Sequence, residues 1–271
     1  QTPAPAPNSH LLLPTAILPL PHGHIATMIM LCFSISAYSY FCFLFSVMKY
    51  SWLLFDADGT LFDYDTAEGK ALSATFKDAG LPYDAAYLDV YREINGEMWA
   101  AFERGEVTQP ELHLQRFQRM MEALGLSTDI PLFGERYLYN LGHTTDLIDG
   151  ALDVVPQLAK KHRLFLITNG IPLVQHTRLS LSPIGDYFAG IVISGEVGHA
   201  KPDPRIFDAA FEGMGRPQKS EVLIIGDSLS ADIRGGHAYG IDTCWYNDNG
   251  RAPDSDLPIT FTITTLYELF R

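Results

Sequence analysis

Trp52-Leu53-Leu54-Phe55-Asp56-Ala57-Asp58-Gly59-Thr60 is an apolar run that ends abruptly in two aspartates and a glycine. Four consecutive apolar residues without alternation fit a strand covered on both faces, as in a parallel sheet packed between helices. Similar runs recur downstream: Leu164-Phe165-Leu166-Ile167, Ile191-Val192-Ile193, Val222-Leu223-Ile224-Ile225, Thr243-Cys244-Trp245-Tyr246 and the weaker Phe261-Thr262-Ile263. Helical stretches separate them. Asp203-Pro204 has the pattern of an N-cap followed by proline in the first turn, and Gly240 stands where a helix over 230–239 should stop. The alternation predicts a doubly wound, Rossmann-like α/β fold with a parallel sheet.

Between 64 and 145 the alternation fails. Helical patterns occupy 66–79, 85–104, 109–124 and 130–141, punctuated by Gly80, Gly105 and Gly125. An all-helical insertion after the first strand reads as a cap. The expected organisation is an α/β core of 49–63 and 146–271 with a helical cap of 64–145.

Composition limits what such a chain can do. Its 271 residues carry a formal net charge of −13, which argues against a nucleic-acid binder or a polybasic membrane-surface protein. Hydrophobic residues make up 47%, enough for a substantial core. The charge is unevenly spread: all 32 acidic and 19 basic residues lie beyond Met48. Within the uncharged start, 25–47 is long enough to span a bilayer as a helix at about 1.5 Å per residue. Three features oppose an anchor. No Lys or Arg precedes the run, serines and tyrosines interrupt it, and it leads without a linker into the first strand. Met48 is therefore read as the natural start, with 1–48 a non-native or poorly ordered extension and a membrane anchor the lesser alternative. Cys244 is the single cysteine of the charged body and no CxxC pair suggests zinc, which fits a reducing, cytoplasmic setting.

In open α/β sheets, ligands bind beyond the carboxyl ends of the strands. Those ends here are Asp56-Ala57-Asp58-Gly59-Thr60, Thr168-Asn169-Gly170 and Gly226-Asp227-Ser228, with Asp232 one turn further; Lys201-Pro202 follows the third strand. Asp56 and Asp58, two residues apart, point the same way in extended backbone. With Asp227 they make a carboxylate cluster that is costly unless a cation joins it. Mg²⁺ suits such a site, because it takes hard oxygen ligands and retains water and phosphate. Lys201 and Thr168 offer a positive charge and a hydroxyl to phosphate oxygens.

This ordered set, Asp56-x-Asp58-Gly59-Thr60, Thr168-Asn169-Gly170, Lys201-Pro202 and Gly226-Asp227-Ser228-x-x-x-Asp232, resembles the four motifs of the haloacid dehalogenase-like phosphatase superfamily. The resemblance runs over 48–271 and assigns the insertion to that superfamily's helical cap. It implies that Asp56 is a nucleophile forming an aspartyl-phosphate and that Asp58 is the general acid and base. Mg²⁺ would be held by the Asp56 carboxylate, the Asp58 backbone carbonyl and Asp227, while Asp232 orients the site. Thr168, the Asn169 amide and Lys201 would hold the phosphoryl oxygens. Gly59 would permit a sharp turn that Thr60 fixes. Dehalogenases of similar fold lack the second aspartate, so Asp58 favours phosphoryl transfer.

Lys49-Tyr50-Ser51-Trp52, the segment 92–99, the segment 102–106, Arg116-Phe117, Ser194-Gly195-Glu196-Val197-Gly198 and Cys244-Trp245-Tyr246-Asn247 are similar to the YjjG-type pyrimidine 5′-nucleotidase branch. That resemblance implies a small phosphorylated substrate, a pyrimidine nucleoside 5′-monophosphate such as UMP, dUMP or dTMP. Another small ester, a sugar phosphate or phosphoglycolate, is the alternative, and a membrane-tethered binding module the reading from a different class. Asn95 and Trp99 share a helix face and are candidate contacts to base or sugar; the competing reading packs Trp99 in the cap core. Arg92 and Arg116 are expected to be solvated or salt-bridged. His113, His143, His162, His176, His199 and His237 are expected at the surface or in local capping. Asp63 and Asp65 are read as hinge residues.

Overall fold

Strand β1 (Trp52–Phe55) is fully buried and lies between two parallel neighbours, β2 (Arg163–Thr168) and β4 (Val222–Gly226). The computed structural model describes residues 49–253 and 256–270, so the expectations placed on 1–48, the anchor at 25–47 included, lie outside the described residues. Strands β3 (Phe188–Ile193), β5 (Asp242–Tyr246) and β6 (Phe261–Ile263) complete a sheet of order β3-β2-β1-β4-β5-β6 in which every pairing is parallel.

Why the apolar stretches of the central strands show no alternation is visible in their packing. Leu53, Phe55, Leu164, Leu166, Leu223 and Ile225 join one hydrophobic cluster. The intervening Trp52, Leu54, Phe165, Ile167, Val222 and Ile224 join another. Successive side chains alternate between faces, and both faces are covered, so neither set tolerates polarity. Val154, Val155 and Leu158 of helix α5 (Ala151–Leu158) complete the first cluster.

The insertion consists of α1 (Tyr64–Asp78), α2 (Ala86–Glu103), α3 (Gln109–Leu124) and α4 (Ile130–Gly142). Asp63 caps α1 by accepting from the Thr66 amide at 3.0 Å, and Thr108 and Glu111 form a capping box at the start of α3. These helices share a third cluster, which includes Phe76, Tyr91, Phe117, Phe133 and Tyr137 and takes in Ile171 and Val174 beside β2. Those two residues belong to the start of α6 (Pro172–Leu181) and its N-cap, so the insertion is seated on that helix.

The remaining helices are the single turn α7 (Ser194–Val197), α8 (Pro204–Gly213) and α9 (Arg234–Tyr239). Asp203 caps α8 as expected, and Gly240 ends α9 in the left-handed region. One element was not expected. A π-helical turn, Leu229–Ile233, replaces the first part of the helix read from 230.

The topology locates the site. The chain builds β1, β2 and β3 outward in one direction, then crosses to lay β4, β5 and β6 on the other side of β1. The switch lies between β1 and β4, where a crevice opens at the strand ends. Asp56, Asp58 and Asp227 stand there.

Candidate active site

Asp56 follows the last residue of β1, and its amide extends the ladder by donating to the Ile225 carbonyl at 2.9 Å. The side chain is buried. Lys201 Nζ donates to Asp56 Oδ1 at 2.5 Å, to Asp232 Oδ1 at 2.6 Å and to the Ile167 carbonyl at 2.9 Å. All three ammonium donors are thus committed. No N–H of Lys201 is left over for phosphoryl oxygens in this arrangement; its charge, held against Asp56, is what the geometry presents.

The Asn169 side chain is likewise engaged within the protein. Its Nδ2 donates to the Lys201 carbonyl at 2.9 Å and its Oδ1 accepts from the Lys201 amide at 2.7 Å. It clamps the backbone of the Lys201 loop, leaving only its main-chain N–H for a substrate. Thr168 Oγ1 accepts from the Gly170 amide at 3.0 Å, so its hydroxyl proton remains available at the cavity wall.

Asp232 is positioned by the π-helical turn. Its Oδ2 accepts from the Ser228 amide at 3.0 Å, and a Cβ on Gly226 would lie 2.3 Å from its Cγ. Glycine at 226 is what lets the carboxylate fold back over the strand end. Gly59, at φ +80°, serves the other strand similarly: a Cβ there would come 3.1 Å from Asp227 Cγ. Thr60 is buried and donates weakly to Asp56 Oδ2, at 3.5 Å.

Asp56, Asp227 and Asp232 bring one oxygen each to within 4.8 Å of one another. Burial raises the Asp56 carboxyl well above its ordinary range; Lys201 opposes the rise, and Asp232 and Asp227 add to it. Burial and Asp232 push Asp227 up to about 7 against the pull of Arg251 and Lys201. Lys201 is raised despite its burial, because Asp232 and Asp56 outweigh the desolvation. Three carboxylates set against the buried Lys201 ammonium and the part-exposed Arg251 guanidinium, 3.7 Å from Asp227, still leave an excess of negative charge, and their hard oxygen donors fit a magnesium ion.

These residues floor a cavity of about 510 Å³, whose opposite wall includes Tyr64, Asp65 and Trp99 from the insertion and whose rim carries Asp248, Asn249 and Arg251. Trp99 is half-buried, edge-on to Phe102, and lines the cavity, so both readings made for it describe part of its surroundings. Asn95 is buried behind that wall. It accepts from Arg116 Nη1 at 3.0 Å and donates to Glu68 Oε1 at 3.3 Å and more weakly to the Tyr64 hydroxyl. Arg92 pairs with Glu68 as expected, but Arg116 is fully buried among aromatic rings rather than solvated. Two histidines also depart from the surface reading: His162 is buried with Nδ1 2.7 Å from the Tyr50 carbonyl, and His113 Nε2 is buried without a partner among the described residues.

Sequence reasoning missed Gln175 and Arg178, which hold Asp58, and Arg251, whose Nη2 donates to the Asp227 carbonyl at 3.0 Å. The signal for the first two was their spacing of three on the helix that opens just after Thr168-Asn169-Gly170.

With this arrangement in view, comparisons with known proteins are decisive for the family. A family model described as haloacid dehalogenase-like hydrolase matches residues 50–240. The chain belongs to the haloacid dehalogenase-like hydrolase family. Among these hydrolases, the HAD-hydrolase YfnB of Bacillus subtilis is 36% identical over 82% of this chain and 94% of its own. Its magnesium-bound crystal structure, which reveals interdomain movement, matches with a TM-score of 0.77 over 82% of this chain and 97% of that one. The pyrimidine 5′-nucleotidase YjjG of Escherichia coli is 34% identical over 82% of this chain and 97% of its own. The pyrimidine 5′-nucleotidase PynA of Streptococcus pneumoniae is 34% identical over 82% and 94%.

Proposed function

We propose that this hydrolase is a Mg²⁺-dependent phosphatase that cleaves nucleoside 5′-monophosphates, pyrimidine ones such as UMP, dUMP and dTMP foremost, through an aspartyl-phosphate on Asp56. The observation that carries this reading is the Asp56–Lys201–Asp232 cluster at the sheet's switch point, with Asp58 beside it on the cavity wall. The pyrimidine specificity draws on the two relatives named for that activity. The reading includes a core of 49–63 and 146–271, a cap formed by 64–145, and a cytoplasmic setting.

The Asp56 carboxylate, the Asp58 backbone carbonyl and Asp227 would hold Mg²⁺, which would supply the positive charge that lets a carboxylate approach an anionic phosphate. The chain's own residues do the rest. Lys201 fixes one Asp56 oxygen by its hydrogen bond, while the other accepts only weakly, from the Thr60 hydroxyl. Asp56 attacks phosphorus, forming a new P–O bond as the bond to the nucleoside oxygen breaks. Asp58 gives its proton to that oxygen, then takes one from the water that cleaves the acyl phosphate. The Thr168 hydroxyl and the Asn169 main-chain N–H are the donors for equatorial oxygens. Trp99 offers a ring face to a base entering beneath the insertion.

A phosphate-release panel of UMP, dTMP, AMP, a sugar phosphate and phosphoglycolate, run with Mg²⁺ and with EDTA, tests the reading. Pyrimidine nucleotides should lead, and EDTA should suppress release by at least about 100-fold. Comparable rates on the non-nucleotide esters, or release that survives EDTA, would overturn it.

A further inference from the structure

Two buried polar side chains beside the site have no part in that reaction scheme. Gln175 and Arg178 lie three residues apart on α6 and so share one helix face. Gln175 Nε2 donates to Asp58 Oδ2 at 2.5 Å, and Arg178 Nη1 donates to Asp58 Oδ1. Each oxygen of one carboxylate therefore receives its own donor from the same helix.

The surroundings of these donors are built closely. A Cβ on Gly170 would stand 2.3 Å from Gln175 Nε2, so glycine after Thr168-Asn169 clears the path by which the amide reaches Asp58. The Arg178 side chain is wholly buried, with its guanidinium over the Phe62 ring at 5.3 Å. Asp58 is its single ion-pair partner among the described residues. Its Nη2 makes a long contact, 3.5 Å, to the Leu141 carbonyl at the end of the insertion's last helix. That end is itself pressed on α6, where a Cβ on Gly142 would meet Thr177 at 3.2 Å.

A buried ion pair is a weak device for stability, because desolvation offsets most of the attraction. Two converging donors do something else well: they stop rotation of the carboxyl group about Cβ–Cγ. We infer that Gln175 and Arg178 are positioning residues that hold the Asp58 carboxyl group at one place on the cavity wall, from which it reaches the leaving-group oxygen once one of its oxygens is protonated and released from its α6 donor, with Arg178 tying that placement to the seat of the helical insertion. The inference rests on Asp58 being the acid that protonates the leaving group. It gives the α6 face a task that packing alone does not explain, since Asp58 lies at a solvent-accessible cavity wall while its partners are buried.

The test compares two substrates by kcat/KM, which reports steps up to formation of the aspartyl-phosphate. UMP needs its leaving oxygen protonated; p-nitrophenyl phosphate does not. Gln175→Leu removes one donor with little change of shape. It should lower kcat/KM for UMP by about 10- to 100-fold and for p-nitrophenyl phosphate by less than about 3-fold. Arg178→Lys, which keeps a charge and one donor, should show the same selectivity to a smaller degree. Equal losses on both substrates, or none, would overturn the positioning role, and the two variants together guard against one failing to fold. Asp58→Asn separates the inference from its premise. If Asp58→Asn shows the substrate selectivity and the α6 variants do not, the positioning role alone fails; if Asp58→Asn shows none, the acid assignment fails.

Discussion

The strand-end floor of the cavity and the helical insertion both bury charge, and they dispose of it in opposite ways. In the floor, Asp56 and Asp232 share one buried ammonium and Asp227 has only the part-exposed Arg251 at 3.7 Å, so negative charge is left over at the cavity. In the insertion, Glu68 is flanked by Arg92 and, through Asn95, by Arg116, so the network closes on itself. Uncompensated charge is costly for folding and useful for binding a cation and a phosphate. Paired charge holds helices together and leaves Tyr64 and Trp99, at its edge, to line the cavity.

The sharpest way to break that contrast is Asp56→Asn. If the floor's charge serves chemistry, turnover should fall by about 10⁴-fold or more, measured as phosphate release from UMP. Stability should hold. Burial and the neighbouring aspartates raise the Asp56 carboxyl above its unfolded value, so ionised Asp56 opposes folding at neutral pH, and the neutral amide removes that cost while Lys201 keeps Asp232. A large drop in Tm would show that the floor is structural in the same sense as the insertion. Retained turnover would remove Asp56 from the nucleophile role.

Arg116→Met probes the other side. Arg116 is 1% exposed, with Nε and Nη2 lacking partners among the described residues, and its guanidinium lies 4.7 Å from the Phe117 ring centroid. Methionine fills similar space without the desolvated charge, but leaves Asn95 Oδ1 unpaired and Glu68 with Arg92 alone. A loss of about 1–3 kcal/mol is expected from chemical denaturation, with kcat per folded molecule within about 3-fold of the parent. An unchanged stability with a collapsed kcat would mean that the insertion's network reaches the chemistry directly.

The same contrast explains what could be read from the chain alone. The sheet was legible because strands buried on both faces must be continuously apolar, and Trp52–Phe55 and Val222–Ile225 can be little else. The floor was legible in part: Asp56 and Asp227 are carboxylates placed where such strands end, but the third carboxylate of the cluster is Asp232, and Asp58, expected there, turns its side chain to Gln175 and Arg178 instead. What escaped was everything that depends on which side chains meet across the fold. The commitment of all three Lys201 donors, the use of Asn169 to clamp the Lys201 loop, and the π-helical turn that delivers Asp232 are tertiary facts with no local pattern. Arg116 was misread for the same reason: on α3 it looks like any charged helix residue, and only the ring faces of Phe117 and Tyr137 mark its position as interior. Gln175 and Arg178 fall between these cases, since their shared helix face was readable and their partner was not.

At neutral pH the smallest effect concerns His113, also on α3, and it refines the account of the insertion's buried network. Burial, and to a lesser degree Arg116, lower its imidazole from about 6.5 to about 4. The folded chain thus refuses a proton that the unfolded chain accepts over that window. By linkage the unfolded state binds more protons there, so stability is full above about pH 6.5 and declines as pH falls toward 4, at up to about 1.4 kcal/mol per pH unit from this group. His113→Leu removes the titration and keeps an apolar side chain of compatible size. Tm measured between pH 7 and pH 4 should therefore fall less steeply in the variant than in the parent, and below about pH 4, where the histidine is protonated folded and unfolded alike, the two should run parallel. Salt-bridged carboxylates contribute equally to both proteins, so the difference between the slopes isolates the histidine. Parallel slopes would mean that the insertion opens to admit water at His113, and that its buried network is looser than the floor it faces.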